Sequence, residues 1–151
     1  MILRSLLTPL VAPYWSVMVL RRILYRGGVL ESLSLPVPVI CIGNLTFGGT
    51  GKTPLALDVA QRLKKKGHRV SIILRGYRRL DAGNEPLAVS DGTKIVCGLD
   101  KAGDEALLLA NEAQDVPVIV GGDRIAAGHY AISRFGASAI VMDDGFQHLR
   151  L

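Results

Sequence analysis

The chain is poor in cysteine: Cys41 and Cys97 are the whole supply in 151 residues. Two such residues build no disulfide framework, so a stapled secreted fold is set aside and a reducing cytoplasm is the default expectation. Cys41, inside an apolar run, reads as a small buried hydrophobe. Aromatic residues are also scarce, 5% against 49% hydrophobic. The core must therefore be aliphatic, and no aromatic-interleaved basic motif supports nucleic-acid binding. A run long enough to span a membrane is missing too. The uncharged apolar stretch from Leu6 to Leu20 has 15 residues and is interrupted by Pro9 and Pro13, whereas a spanning helix needs about 20. There is no internal repeat and no low-complexity tract. Acidic residues are outnumbered, 13 against 18 Lys and Arg, for a net charge of +5. A nucleotide, a phosphorylated substrate or an anionic membrane surface would each suit that balance. The length corresponds to about one domain with a sizeable core.

What the chain does have is Thr46-Phe47-Gly48-Gly49-Thr50-Gly51-Lys52-Thr53-Pro54. It follows the β-branched run from Val37 to Ile42 and precedes a helical pattern starting at Leu55. A strand, a glycine loop and a helix in that order are the setting of a phosphate-binding loop. Glycines let successive N–H groups point inward at a polyphosphate. Lys52 would reach the β- and γ-phosphates, the Thr53 hydroxyl would ligate Mg²⁺, and the helix would present its positive end. Thr46 stands where the strict pattern has its first glycine. The competing reading is a glycine-rich turn that merely precedes a helix.

Beyond the loop, Leu55, Val59 and Leu63 recur at helical spacing, with Ala56 and Ala60 widening the face. The basic run from Lys64 to Lys66 reads as a solvated helix end and Gly67 as its stop. Strands are expected over 69–74, 116–120 and 137–142, with short ones at 87–89 and 94–97 in a polar, turn-rich stretch. Helices are expected over 101–114 and 124–135, the second capped by Asp123, with His129 on its apolar side. Strands alternating with helices imply a parallel sheet with right-handed crossovers and a ligand site beyond the carboxyl ends of the strands. The phosphate loop, Arg75 to Tyr77, and Asp143 with Asp144 gather there.

Arg4, Arg21, Arg22 and Arg26 against Glu31 make the first 31 residues basic by +3. A secretory signal peptide is disfavoured, because no small-x-small cleavage site follows and a nucleotide motif lies directly downstream. A buried first helix and an interfacial helix remain. The interfacial reading is preferred, with Tyr14 and Trp15 near headgroups and the arginines on anionic lipid.

The order Gly43-Asn-Leu-Thr-Phe-Gly-Gly-Thr-Gly-Lys-Thr-Pro54, Arg75-Gly-Tyr77, Gly103-Asp-Glu105, Gly122-Asp-Arg124 and Asp143-Asp-Gly-Phe-Gln-His148 closely resembles the tetraacyldisaccharide 4′-kinase family over nearly the whole chain. The resemblance implies a P-loop NTPase-like three-layer α/β sandwich over residues 36–151, with a mostly parallel sheet. A membrane-associated helical segment over 1–30 would precede it. It implies transfer of the ATP γ-phosphate to the 4′-hydroxyl of a tetraacylated glucosamine disaccharide 1-phosphate, forming lipid IVA at the cytoplasmic face of the Gram-negative inner membrane. ATP, Mg²⁺, the lipid A disaccharide precursor and inner-membrane lipid are the implied ligands and partners, with no role for nucleic acid.

By the same resemblance, Gly48 to Thr53 would hold ATP and Mg²⁺, Asp104 would be the catalytic base, and Asp143 with Asp144 would sit near Mg²⁺. Arg75, Tyr77, Glu105, Arg124, Gln147 and His148 match further active-site or motif positions. Ala106, Gly122 and Arg78 stand where the family often has Pro, Pro and Gly. The family continues for about as many residues again, with a histidine that partners the catalytic aspartate, so the sequence looks like an amino-terminal fragment. Each residue also has a blander reading. Asp104 could be a helix cap, Asp143 and Asp144 a turn after a strand, and Arg75 a solvated strand end. Tyr77 could be a packed ring, His148 a mobile side chain, and His129 simply packed.

Overall fold

The computed structural model describes residues 13, 15–25, 27–29, 33–43, 52–76 and 85–143. Residues 34–148 make one compact unit, and the residues up to 33 belong to another. In the amino-terminal unit, residues 15–25 form helix α1. Trp15, Val17, Leu20 and Ile23 are all more than half exposed there, and the Arg21 guanidinium lies 5.7 Å from the Tyr25 ring centre. Among the described residues, no helix is long and apolar enough to cross a membrane.

The larger unit is a five-stranded sheet with helices on both faces. In chain order its elements are β1 (Val39–Ile42), α2 (Lys52–Lys65), β2 (Val70–Leu74), β3 (Leu87–Ser90), α3 (Leu99–Ala102), α4 (Asp104–Glu112), β4 (Val118–Val120), α5 (Arg124–Phe135) and β5 (Ala139–Asp143). The strand order is β1-β5-β2-β4-β3. All pairings are parallel except β3 with β4. β2 and β5, flanked on both sides, are buried throughout, as their nearly unbroken apolar sequences require of strands covered on both faces. One core, with Ala56, Ala60, Val70, Ile72, Leu109 and Val141, lies under α2 and α4. The other, with Ile73, Ile119, Ala127, Ala131 and Ile140, lies under α5.

Local chemistry sets several boundaries. The Asp123 carboxylate caps α5 by accepting from the Ile125 and Ala126 amides at 2.9 and 3.1 Å, as its position before the helix predicts. Gly67 closes α2, its amide bonding to the Lys64 carbonyl at 2.8 Å. The expected helix over 101–114 is instead two helices, because Gly103 adopts φ 82°, a conformation that breaks a helix and that glycine reaches without a steric penalty. Of the two short strands expected between 87 and 97, the first is β3. The second reduces to a single bridge between Ser90 and Ile95.

Four packing expectations are corrected. Cys41 is exposed, because β1 is an edge strand of the sheet. α2 begins at Lys52 rather than Leu55 and buries Ala56 and Ala60, while Leu55 is 50% exposed. The core-facing stripe is therefore rotated toward the alanines, which let the helix approach the sheet. His129 is exposed, since α5 turns Ala127, Gly128 and Ala131 inward. Asp104 is not the cap of α4. That position is Gly103, and no side chain caps the helix.

Candidate functional site

The site is built at the carboxyl ends of β5 and β2 and at the start of α2. Thr46 to Gly51, Tyr77, Asp144, Gln147 and His148 lie outside the described residues. Lys52, Thr53, Arg75, Asp104, Glu105, Arg124 and Asp143 lie within them. β1 runs up beside β5, with Ile42 level with Asp143. The first two residues of α2, the next described element, are Lys52 and Thr53. The positive end of a 14-residue helix thus meets the end of the strand that carries Asp143.

Thr53 joins the parts. Its Oγ1 lies 3.3 Å from Asp143 Oδ2 and 3.3 Å from Glu105 Oε1. One hydroxyl proton thus stands between two carboxylates, a cluster of hard oxygen donors. Such a set suits Mg²⁺, which takes oxygen ligands from one or two carboxylates and substrate phosphates. Asp143 is 4% exposed, a depth at which a carboxylate needs a partner.

Glu105 and Asp143 line a cleft of about 220 Å³ together with Lys52 and Arg75 over a floor of Leu74, Ala102 and Ala106. That is below the roughly 300–1,000 Å³ of a complete small-molecule site, so the described residues form part of one. Asp104 does not line it, although Glu105 and Ala106, the next two residues of α4, do. Asp104 is exposed at the first position of that helix. Arg124 is elsewhere. It is 3% exposed and donates through Nη1 to the Gly121 carbonyl at 2.6 Å, bracing the turn between β4 and α5.

The family resemblance alone put Glu105 among the further active-site or motif positions. The structure brings its carboxylate to the Thr53 hydroxyl. The small residues Ala102 and Ala106 were missed. They stand four residues apart, at helical spacing within the stretch expected as one helix, but nothing in that pattern tells a cleft-lining alanine from a core one. The Cys41 thiol is raised above its usual range by partial desolvation, against the opposing pull of the Arg124 charge. It is therefore a neutral thiol near pH 7 although the residue is exposed.

The family model for tetraacyldisaccharide-1-P 4′-kinase matches residues 3–151. The chain belongs to that family. A tetraacyldisaccharide 4′-kinase of Pelobacter propionicus is 42% identical over 99% of the chain and 41% of its own length. One of Desulfotalea psychrophila is 45% identical over 98% and 42%. Among solved structures, the LpxK of Aquifex aeolicus, crystallised in complex with ATP, is 39% identical with a TM-score of 0.89, covering 99% of this chain and 46% of that one. The chain thus spans about two fifths of the length of these curated relatives.

Proposed function

We propose that this chain carries the nucleotide- and metal-binding part of an ATP-dependent 4′-kinase. The kinase transfers the γ-phosphoryl group to the 4′-hydroxyl of tetraacyldisaccharide 1-phosphate to give lipid IVA. The observation that supports it most is the convergence of Lys52, Thr53, Glu105 and Asp143 at one end of the sheet, in a chain of this family. In this reading Thr46 to Thr53 are a P-loop, and Gly48 to Thr53 cradle the phosphates. Thr53 and Asp143, with Glu105 beside them and Asp144 following, hold Mg²⁺, which neutralises phosphate charge. Lys52 holds the β- and γ-phosphates from the helix start. Asp104 accepts the proton of the attacking hydroxyl, and exposure at the start of α4 leaves it open to an incoming sugar. Tyr77, Gln147 and His148 support the acceptor side, while Arg124, bonded to the Gly121 carbonyl, keeps a structural part.

The amino-terminal segment is read as an interfacial element on anionic inner-membrane lipid, at the cytoplasmic face. It is supported by the exposed Trp15, Val17, Leu20 and Ile23 of α1 and by the flanking arginines. A second reading is a nucleotide- and membrane-binding unit, which the cluster at Thr53 and the exposed apolar residues of α1 would equally serve.

Titration with Mg²⁺-ATP tests the site. Lys52→Ala should lower affinity by two orders of magnitude or more without loss of fold. Unchanged titration would remove Lys52 from the site. For the membrane reading, deletion of residues 1–26 should reduce sedimentation with anionic vesicles, and equal sedimentation of both chains would end it.

A further inference from the structure

We propose that Arg75 is a ligand of the nucleotide's γ-phosphate, the residue that distinguishes ATP from ADP in this cleft. The inference rests on the nucleotide-binding reading above and assigns a group that reading leaves without a part.

Four formal charges line the cleft: Lys52, Arg75, Glu105 and Asp143. The two carboxylates both turn to the Thr53 hydroxyl. Arg75 is exposed, and among the described residues it has no ion pair or side-chain hydrogen bond. A guanidinium that shares a cleft with two carboxylates, yet pairs with neither, is available to an anion brought in from outside. Its planar fork matches phosphate oxygens in pairs, which a lysine cannot do.

Position narrows the anion. In the register of β2 with β5, Ile73 is level with Met142, so Leu74 is level with Asp143 and Arg75 stands one residue beyond it. Lys52 and Thr53 lie at the start of α2, a helix end suited to the phosphates of a nucleotide. A terminal phosphate held in this cleft would have Arg75 on its rim within the same lining as Glu105 and Asp143. During transfer the bond from the γ-phosphorus to the β-bridging oxygen breaks. A bond from the acceptor hydroxyl oxygen forms, the hydroxyl proton passes to a carboxylate, and ADP leaves. Arg75 would hold the non-bridging oxygens of the moving group throughout.

The test is to measure the affinities of the parent chain, Arg75→Ala and Arg75→Lys for Mg²⁺-ATP and Mg²⁺-ADP by calorimetry, with thermal melts alongside. Arg75→Ala should weaken ATP binding roughly 10- to 100-fold, the range for a hydrogen-bonded charged group. ADP binding should change less than about twofold. Arg75→Lys should recover part of the ATP affinity. Equal losses for both nucleotides, or no loss for either, would overturn the assignment while leaving the nucleotide site standing. So would unchanged ATP affinity with a raised acceptor KM in a full-length family kinase carrying the same substitution, because the arginine would then serve the acceptor's phosphate. No nucleotide binding by the parent chain would overturn both readings.

Discussion

The two ends of the sheet are built on opposite plans. At the amino end, polar groups are spent on one another. Lys64 Nζ pairs with Asp115 Oδ2 at 2.8 Å, and both Lys64 and Gln61 donate to the Gln114 carbonyl. Arg69 Nε donates to the Gly136 carbonyl at 2.7 Å, and the Arg69 amide donates to Ser138 Oγ. Asp91 Oδ1 accepts from the Thr93 hydroxyl and from the amides of Thr93 and Lys94. At the carboxyl end two carboxylates crowd one hydroxyl, and among the described residues Arg75 has neither ion pair nor side-chain hydrogen bond. The amino end also has the larger hollow, about 460 Å³. However, Ser90, Thr93, Asn111 and Asp115, which line it, bond within the protein. Volume therefore does not mark the site; uncommitted charge does.

The comparison breaks most sharply at Asp104. In a full-length family kinase carrying these residues, Asp104→Asn should cut turnover by about 10²–10⁴-fold, the usual worth of a positioned base, with ATP affinity nearly unchanged. A loss of stability without a loss of turnover would put Asp104 with the structural residues instead.

A change at the other end should do the reverse. Gly92 has φ +93°, and a Cβ there would meet the Asp115 and Val116 backbone at 3.1–3.2 Å. Gly92→Ala should cost about 1–3 kcal/mol in chemical denaturation, from strain at a conformation that side chains rarely adopt. Nucleotide affinity should be unaffected, and a matching fall in affinity would mean that the two ends are coupled.

The smallest effect concerns pH. The Thr93 hydroxyl, then the Lys94 and Thr93 amides, hold the Asp91 carboxyl down to about 2. A carboxylate lowered on folding contributes stability that is complete above its unfolded pKa of about 3.9 and is lost as pH falls toward 2. Asp91→Asn should therefore melt below the parent at pH 5 and converge with it near pH 2. A constant difference across that range would rule the turn's charge out.

Much of this was legible in the sequence, and unevenly. α5 runs over the expected residues because its signals are local: the Asp123 cap at its start and Gly136 in a left-handed turn at its end. β2 and β5 were visible as apolar runs, since strands buried on both faces need no alternation. The long helix over 101–114 was misread because its apolar pattern continues across Gly103. Only the backbone shows that this glycine breaks the helix. Leu55 and His129 were misplaced for a related reason. Periodicity finds a stripe, but the choice of the alanine side as the inner one belongs to helix–sheet packing.

The linear chain by itself determined the family, the alternation of strands and helices, and the chemical types gathered at the site. Those follow from motif order, local periodicity and side-chain identity, all of which act within a few residues. Tertiary structure alone decided that β3 joins antiparallel at the edge. It also decided that Glu105, 52 residues from Thr53, reaches the same hydroxyl as Asp143, 90 residues away. Strand order and sheet register set those separations, and no local pattern in the chain encodes them.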